Sequence, residues 1–410
     1  MKALPLHGRH LRALGPEDGR TFHARVTDDP NAPLEERSEQ VLLIAHDDAE
    51  VAPGFRAYFH LGSAPPATSV PNTYALATAL HYLSRGDVVR VDPARRFVSV
   101  FYRKGSPTNS ILVTERCDNY CLMCSQPPKA QDDSYLVDEV YRWIHLVDKD
   151  TPELGITGGE PGLLGARLPA LVAHIARVLP RTSLHVLSNG RQFADPAFAK
   201  AIAAARHPDL MIGIPLYSDL AEEHDYVVQA RGAYSETIRG ILALKAAGVR
   251  VEIRTVMHAQ TVARLPELAT FIARNLLFVD HVALMGLELM GFARTNLEEL
   301  WVNPVDYQTK LAAAVETLDR ARMSVSIYNT PLCLIPAALH PFARQSISDW
   351  KNAYPEECGD CTRKGQCAGF FTSSALRKSP HIKPFTAVEP VATTLATTTP
   401  HVFESLEYAR

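Results

Sequence analysis

The chain has 410 residues, enough for two or three domains with substantial cores. It is 46% hydrophobic and 21% charged, with a formal net charge of −3, an ordinary globular balance that gives no general electrostatic reason to expect nucleic acid. Residues 1–10 lack the apolar run of a secretory signal, and Arg274, Asn275, Asp280, His281 and Glu288 interrupt the most apolar stretch, so neither export nor a membrane span is expected. The seven cysteines fall in clusters, which without an export signal suits a reducing cytoplasm and metal ligation better than disulfides.

Residues 1–104 read as a separate small α+β or β-rich domain. Gln40–Ala45 and Phe55–His60 have the composition of short strands, and Tyr74–Ser84 that of a helix closed by Arg85-Gly86. Asp87–Val91 and Phe97–Tyr102 flank a Pro-bearing turn and predict a hairpin. The domain is either a stabilising extension or a dock for a partner or peptide along an exposed strand edge.

From Ser110 strands alternate with amphipathic helices. The expected strands are Ile111–Thr114, Leu154–Thr157, Leu184–Leu187, Met211–Ile214, Val251–Val256 and Val279–Met285. The first expected helix is capped by Ser134, with Leu136, Val140, Ile144 and Val147 on one face. Further helices are expected over 168–179, 197–205, 234–247, 265–276 and 305–322. Six β–α units imply a parallel sheet with helices outside, an open barrel whose chemistry collects at the C-terminal strand ends.

The strongest signal follows the first of these strands: Cys117-Asp-Asn-Tyr-Cys121-Leu-Met-Cys124-Ser-Gln-Pro-Pro. Offsets of four and three are also helical spacing, but Asp118 and Asn119 sit between the thiols and Pro127-Pro128 stop a helix just beyond. Three thiols are odd for disulfides and incomplete for structural zinc. They can hold three corners of an iron–sulfur cube and leave one iron open. Thr157-Gly158-Gly159-Glu160-Pro161 ends the second strand, where glycine carbonyls and the Glu160 carboxylate could accept from an ammonium group, although such a turn is often only a turn. Ser188-Asn189-Gly190 ends the third and could reach a ribose, and it too is a common turn. Arg254 is a carboxylate partner if it points inward, and Gly286 leaves room for a flat ring. No residue stands out as a catalytic acid or base.

Cys-x3-Cys-x2-Cys after a first strand, then Gly-Gly-Glu-Pro after a second, resembles the radical S-adenosylmethionine (radical SAM) enzymes over about Ser110–Arg322. The resemblance implies that Cys117, Cys121 and Cys124 ligate a 4Fe–4S cluster whose open iron takes the amino and carboxylate groups of SAM. It implies further that Gly158, Gly159 and Glu160 hold the SAM ammonium, that Asn189 lies near the ribose and Arg254 near the carboxylate, and that Leu284–Gly286 flank the adenine. Met123 stands where the family usually has an aromatic residue. Residues 232–249 resemble radical SAM enzymes that modify peptides. Residues 114–128 together with the terminal cysteine segment are similar to C-type maturases of the His-Xaa-Ser peptide systems. That likeness implies a peptide substrate, a second radical SAM maturase as partner, and an electron donor.

Cys333, Cys358, Cys361 and Cys367 form a second set. Four thiols make a closed site, either zinc or a fully ligated 4Fe–4S cluster. Cys358-x2-Cys361-x5-Cys367 resembles the auxiliary-cluster lobe of peptide-modifying radical SAM enzymes, which favours iron–sulfur over zinc; Cys333, between leucines, is the least secure ligand. The expected layout is an N-terminal domain (1–104), a partial (β/α)6 radical SAM core (105–325), a cysteine-rich lobe (326–376) with Gly369-Phe370-Phe371 packing onto the barrel, and a flexible Thr/Pro/Ala-rich tail (377–410). The rival reading is a non-catalytic zinc- or iron–sulfur-binding partner or electron-transfer protein. No basic stripe accompanies the cysteines, which disfavours nucleic acid.

Overall fold

A computed structural model describes residues 6–45, 52–62, 68–345 and 352–386. The N-terminal part forms an eight-stranded sheet from β1 (His7–Gly8), β2 (Leu11–Ala13), β3 (Phe22–Thr27), β4 (Gln40–Ile44), β5 (Ala57–His60), β6 (Thr73–Leu76), β7 (Val88–Asp92) and β8 (Phe97–Tyr102). Its order is β1-β8-β7-β3-β4-β5-β6-β2, parallel from β3 to β6 and antiparallel elsewhere. The two outermost strands are separated in sequence only by Arg9 and His10, so the sheet must curl until its edges approach each other. Phe22, Ala24, Val26, Phe59, Tyr74, Val89 and Val98 fill the enclosed side. Among the described residues, the edges of this sheet are the short strands β1 and β2.

The helix expected over Tyr74–Ser84 is not formed. Thr73–Leu76 is instead strand β6, paired with β5 and β2, followed by a single 3₁₀ turn at Thr78–Leu80. Tyr74 is fully buried edge-on against Phe59, 6.1 Å between ring centroids, and this burial outweighs the helical propensity of the alanines and leucines after it. The β7–β8 hairpin forms as expected. Its sheet docks on the core through Glu139, which accepts from His23 Nε2 (3.2 Å) and Arg90 (3.0 Å), and through Arg25 Nε to the Leu146 carbonyl (2.9 Å).

The core is a curled α/β layer of seven parallel strands in sequence order: β9 (Asn109–Leu112), β10 (Glu153–Thr157), β11 (Ser183–Leu187), β12 (Leu210–Pro215), β13 (Arg250–Met257), β14 (His281–Gly286) and β15 (Val325–Tyr328). Six had been expected; β15 is the addition, a four-residue strand after the last long helix, with Val325 and Ile327 buried. Strand alternation sends Ile156, Val186, Ile212, Ile253 and Leu284 toward helices Tyr135–Trp143, Arg167–Val178, Pro196–Ala204, Ala233–Ala246, Leu265–Asn275 and Gln308–Arg320. Each such side chain contributes about 1.5–3 kcal/mol when fully buried.

Two helix details differ from expectation. Ser134 makes no side-chain cap; its own N–H is taken by the Asp132 carboxylate at 3.0 Å. Val137 rather than Leu136 faces inward with Val140 and Ile144. Residues 352–386 form an irregular lobe in which Phe370 pairs with Ala353. Residues 377–386 are packed rather than a loose tail: the Phe385 carbonyl accepts from Thr362 N (2.8 Å), and its ring lies under the Arg363 guanidinium at 4.7 Å. The Ala396–Pro400 segment lies outside the described residues.

Candidate functional site

Beyond β9 the chain runs along the Gly158-Gly159 turn, Gly159 N donating to the Thr114 carbonyl (2.8 Å) and Glu160 N to that of Arg116 (2.7 Å). A Cβ on Gly159 would sit 2.1 Å from the Arg116 oxygen, so backbone approach alone dictates glycine there. Asp133, wholly buried, accepts from Thr114 Oγ1 (2.9 Å), Glu115 N (2.5 Å) and Arg116 Nε (3.1 Å), fixing the entry to the cysteine loop.

The loop is then held from three sides. Tyr120 N and Leu122 N donate to the Val228 and Val227 carbonyls at 3.0 and 2.9 Å. Asn296 Nδ2 donates to the Leu122 carbonyl (2.9 Å), and Phe292 N to that of Cys124 (2.8 Å). From the turn after β11, Asn189 Nδ2 donates to Asp118 Oδ1 (2.6 Å) and Arg191 reaches the same loop. Met123 packs beneath it with Tyr217, Val227, Val228 and Leu300.

All seven cysteines are free. Burial pushes the Cys117 thiol up to about 12, and burial with the neighbouring thiols raises Cys121; Cys124 is raised by burial too. Neutral thiols held close in this way ligate only once a metal replaces their protons. Among the described residues no group of three His, Cys, Asp or Glu side chains is disposed around a single ion. Three thiols on one loop suit the larger iron–sulfur core, which takes cysteine thiolates at separate irons.

Glu160 is 0% exposed and accepts from Gly162 N (2.6 Å), Ser188 Oγ (2.7 Å) and Asn189 N (2.5 Å). Burial raises its carboxyl to about 7, the three donors opposing that shift. Its side chain therefore ties the turn after β10 to the turn after β11. Asn189 is buried with its amide spent on Asp118 and its Oδ1 on Arg191 N (2.9 Å).

Arg254 shares the sheet face opposite the helices with His185, Glu252 and His281. Its guanidinium donates to Glu252 Oε1 (2.6 Å), and His281 Nδ1 lies 2.6 Å from Oε2 of the same carboxylate. Burial works against the Glu252 charge, but Arg254 and the histidines hold the carboxyl down at about 2. Gly286 ends β14, where a Cβ would meet the Asn329 carbonyl at 2.3 Å. It lines a cavity of about 70 Å³ with Met257, Trp301, Asn329, Phe370 and Phe371, which joins the barrel rim to the C-terminal lobe.

The second cysteine set lies between the end of the core and the C-terminal lobe, and among the described residues it too forms no group disposed around a single ion. Cys358 lies in the charge field of Cys333, Cys367 and Cys361, and burial followed by these neighbours raises its thiol to about 11. Leu332 N and Gly369 N donate to Cys367 Sγ at 3.4 Å, and the Tyr354 hydroxyl donates to the Lys364 and Cys367 carbonyls at 3.0 Å. The Leu332 bond places Cys333 in the same part of the lobe as Cys367.

Sequence reasoning took Asp118 and Asn119 only as polar residues incompatible with a helix, and it missed Arg191, Glu236 and Tyr217. Tyr217 stacks on His224 (5.9 Å) and lies 6.3 Å from His258 beneath the cysteine loop. The signal for Arg191 is its place two residues beyond Asn189, at the end of a strand beside the loop.

Residues 111–272 match the family model of the Radical SAM superfamily, so this stretch is a radical SAM domain. No curated protein sequence matches the chain. Among solved structures, the chain is similar to Streptococcus suis SuiB bound to S-adenosylmethionine, at 14% identity and TM-score 0.45 over 56% of this chain and 51% of that one. It is similar to hexahistidine-tagged anSMEcpe with bound AdoMet, at 16% identity and TM-score 0.42 over 53% and 60%. It is similar also to the radical S-adenosylmethionine methyltransferase TsrM from Kitasatospora setae with cobalamin and a 4Fe–4S cluster bound, at 18% identity and TM-score 0.33 over 43% and 36%. The chain thus spans about half the length of SuiB. Among the described residues no helix is long and apolar enough to cross a membrane.

Proposed function

We propose that the chain is a radical SAM enzyme that modifies a ribosomally made peptide. The observation that carries this reading is the thiol trio Cys117, Cys121 and Cys124. It stands on a loop locked by backbone bonds at the C-terminal end of a parallel sheet, within a segment that matches the radical SAM family.

In this reading the trio holds a 4Fe–4S cluster, which when bound supplies the electron that opens SAM. The protein positions and shields. Gly158, Gly159 and Glu160 would hold the SAM ammonium, and Glu160 also keeps that turn in register with Asn189. Arg254 and the β14 end at Gly286 flank the remaining parts of the nucleotide. The apolar floor of Met123 and Tyr217 keeps water away from one side of the loop.

Cys333, Cys358, Cys361 and Cys367 would hold an auxiliary cluster, a reading that rests on their number and on the Cys358-x2-Cys361-x5-Cys367 spacing. The peptide substrate, of the His-Xaa-Ser repeat type, and a second maturase working beside this one rest on the likeness of residues 114–128 and 358–371 to that group.

Anaerobic purification tests the whole reading. Brown protein with about eight irons per chain is expected if both sets carry cubane clusters. Reduction in the presence of SAM should release 5′-deoxyadenosine, and co-expression should change the mass of a His-Xaa-Ser peptide. Colourless protein holding only zinc would end the proposal.

A further inference from the structure

The hydrogen bonds around the cysteine loop are not evenly shared. Arg191, on the turn after β11, alone reaches four acceptors. Its Nε donates to Glu236 Oε2 (2.6 Å), on helix Ala233–Ala246. Its NH1 donates to the Asp118 carbonyl (2.8 Å) and Asn119 Oδ1 (2.8 Å), and lies 3.2 Å from Asp118 Oδ2. Asn189, two residues earlier, holds Asp118 Oδ1 from the other side at 2.6 Å.

These contacts fix two consecutive residues of the loop, and their consequence falls on a thiol. With Asp118 and Asn119 immobilised, the Asn119 N–H points at Cys117 Sγ, 3.4 Å away. Asn119 itself is 3% exposed, so this N–H···S bond is shielded from water. Hydrogen bonds to ligand sulfurs are one of the levers that set an iron–sulfur potential.

We propose that Arg191 is a positioning residue for the metal loop: braced by Glu236, it holds Asp118 and Asn119 so that the Asn119 N–H donates to the Cys117 sulfur and raises the reduction potential of the cluster bound there. The inference rests on the proposed function, since it requires a cluster at Cys117. Arg191 itself lies outside every motif that carries the family likeness. A planar guanidinium is suited to the task because one group must span a carboxylate on a helix and three oxygens on a loop, which an ammonium does not match.

The test compares wild type with Arg191→Met, Arg191→Lys and Glu236→Gln after anaerobic reconstitution. Four properties are read: thermal melting, iron content, the electron paramagnetic resonance spectrum of the reduced cluster, and its midpoint potential by redox titration. Arg191→Met should fold, show an altered spectrum, titrate at a more negative potential and lose iron faster to a chelator. Arg191→Lys and Glu236→Gln should move in the same direction by less. Potentials, spectra and bleaching rates equal to wild type in the variants that fold would overturn the assignment. If Arg191→Met fails to fold, the two milder variants decide by the same measurements. Wild-type protein that takes up no cluster would overturn the proposed function instead, so the two failures are distinguishable.

Discussion

Replacing Glu160 by glutamine tests whether this carboxyl is the strut between two loops of the site. The side chain has no solvent contact and three donors, two on Oε1 (Gly162 N and Ser188 Oγ) and one on Oε2 (Asn189 N). Burial lifts its folded-state value from 4.5 to about 7. A carboxyl raised on folding gives stability that is complete below its unfolded value and is lost as pH rises through its folded value. At about 1.4 kcal/mol per pH unit, the wild type should lose about 2–3 kcal/mol between pH 5 and 8 through this group. When protonated, its Oε1 hydroxyl can donate to Ser188 while still accepting from Gly162 N. Glutamine keeps its carbonyl for Asn189 N but turns an NH2 toward the Gly162 N–H, orphaning a buried donor at about 1–3 kcal/mol. Urea denaturation of both proteins at pH 5, 6.5 and 8 is the assay. Glu160→Gln should be less stable by about 1–3 kcal/mol at pH 5, and the gap should close toward pH 8 because the variant has no carboxyl to titrate. A gap that is constant or widens with pH would refute the reasoning.

Gly159→Ala should destabilise by about 1–3 kcal/mol or more, because its methyl meets the Arg116 oxygen at 2.1 Å. Gly365→Ala, with nothing within 4 Å, should be near neutral in the same melts. Cys121→Ala should abolish 5′-deoxyadenosine formation, whereas Cys361→Ser should lower the iron content by about half and leave the first cluster's spectrum in place. Glu252 is held low in the folded chain, so its contribution is present above 4.5 and lost as pH falls toward about 2. Arg254→Met should therefore flatten the acid limb of a stability–pH profile, and an unchanged limb would count against the pair.

The alternation of apolar runs with amphipathic helices made six of the seven core strands readable, because a parallel strand between helices carries a near-continuous Val/Ile/Leu signature. Val325–Tyr328 escaped because four residues with a serine in the middle have no such run. Tyr74 misled for a different reason: its neighbours are good helix formers, and only contact with Phe59 on another strand decides the matter. In the site, the cysteines and glycines announced themselves by spacing. The use of each polar group did not, since Glu160 and Asn189 turn toward one another only when β10 and β11 lie side by side. Arg191 belongs to the same class: its four acceptors come from segments 45 to 73 residues away.

Strands laid down in chain order also impose a timetable. The Leu122 carbonyl meets its last partner in Asn296, 174 residues later. At a synthesis rate of about 5–20 residues per second, that interval is about 10–35 s. Throughout it the thiols of a nascent chain are tethered at one edge of a sheet still growing away from them, without the brace that arrives last. Oxidation of the thiols during this delay is the hazard that expression under reducing, oxygen-free conditions would remove.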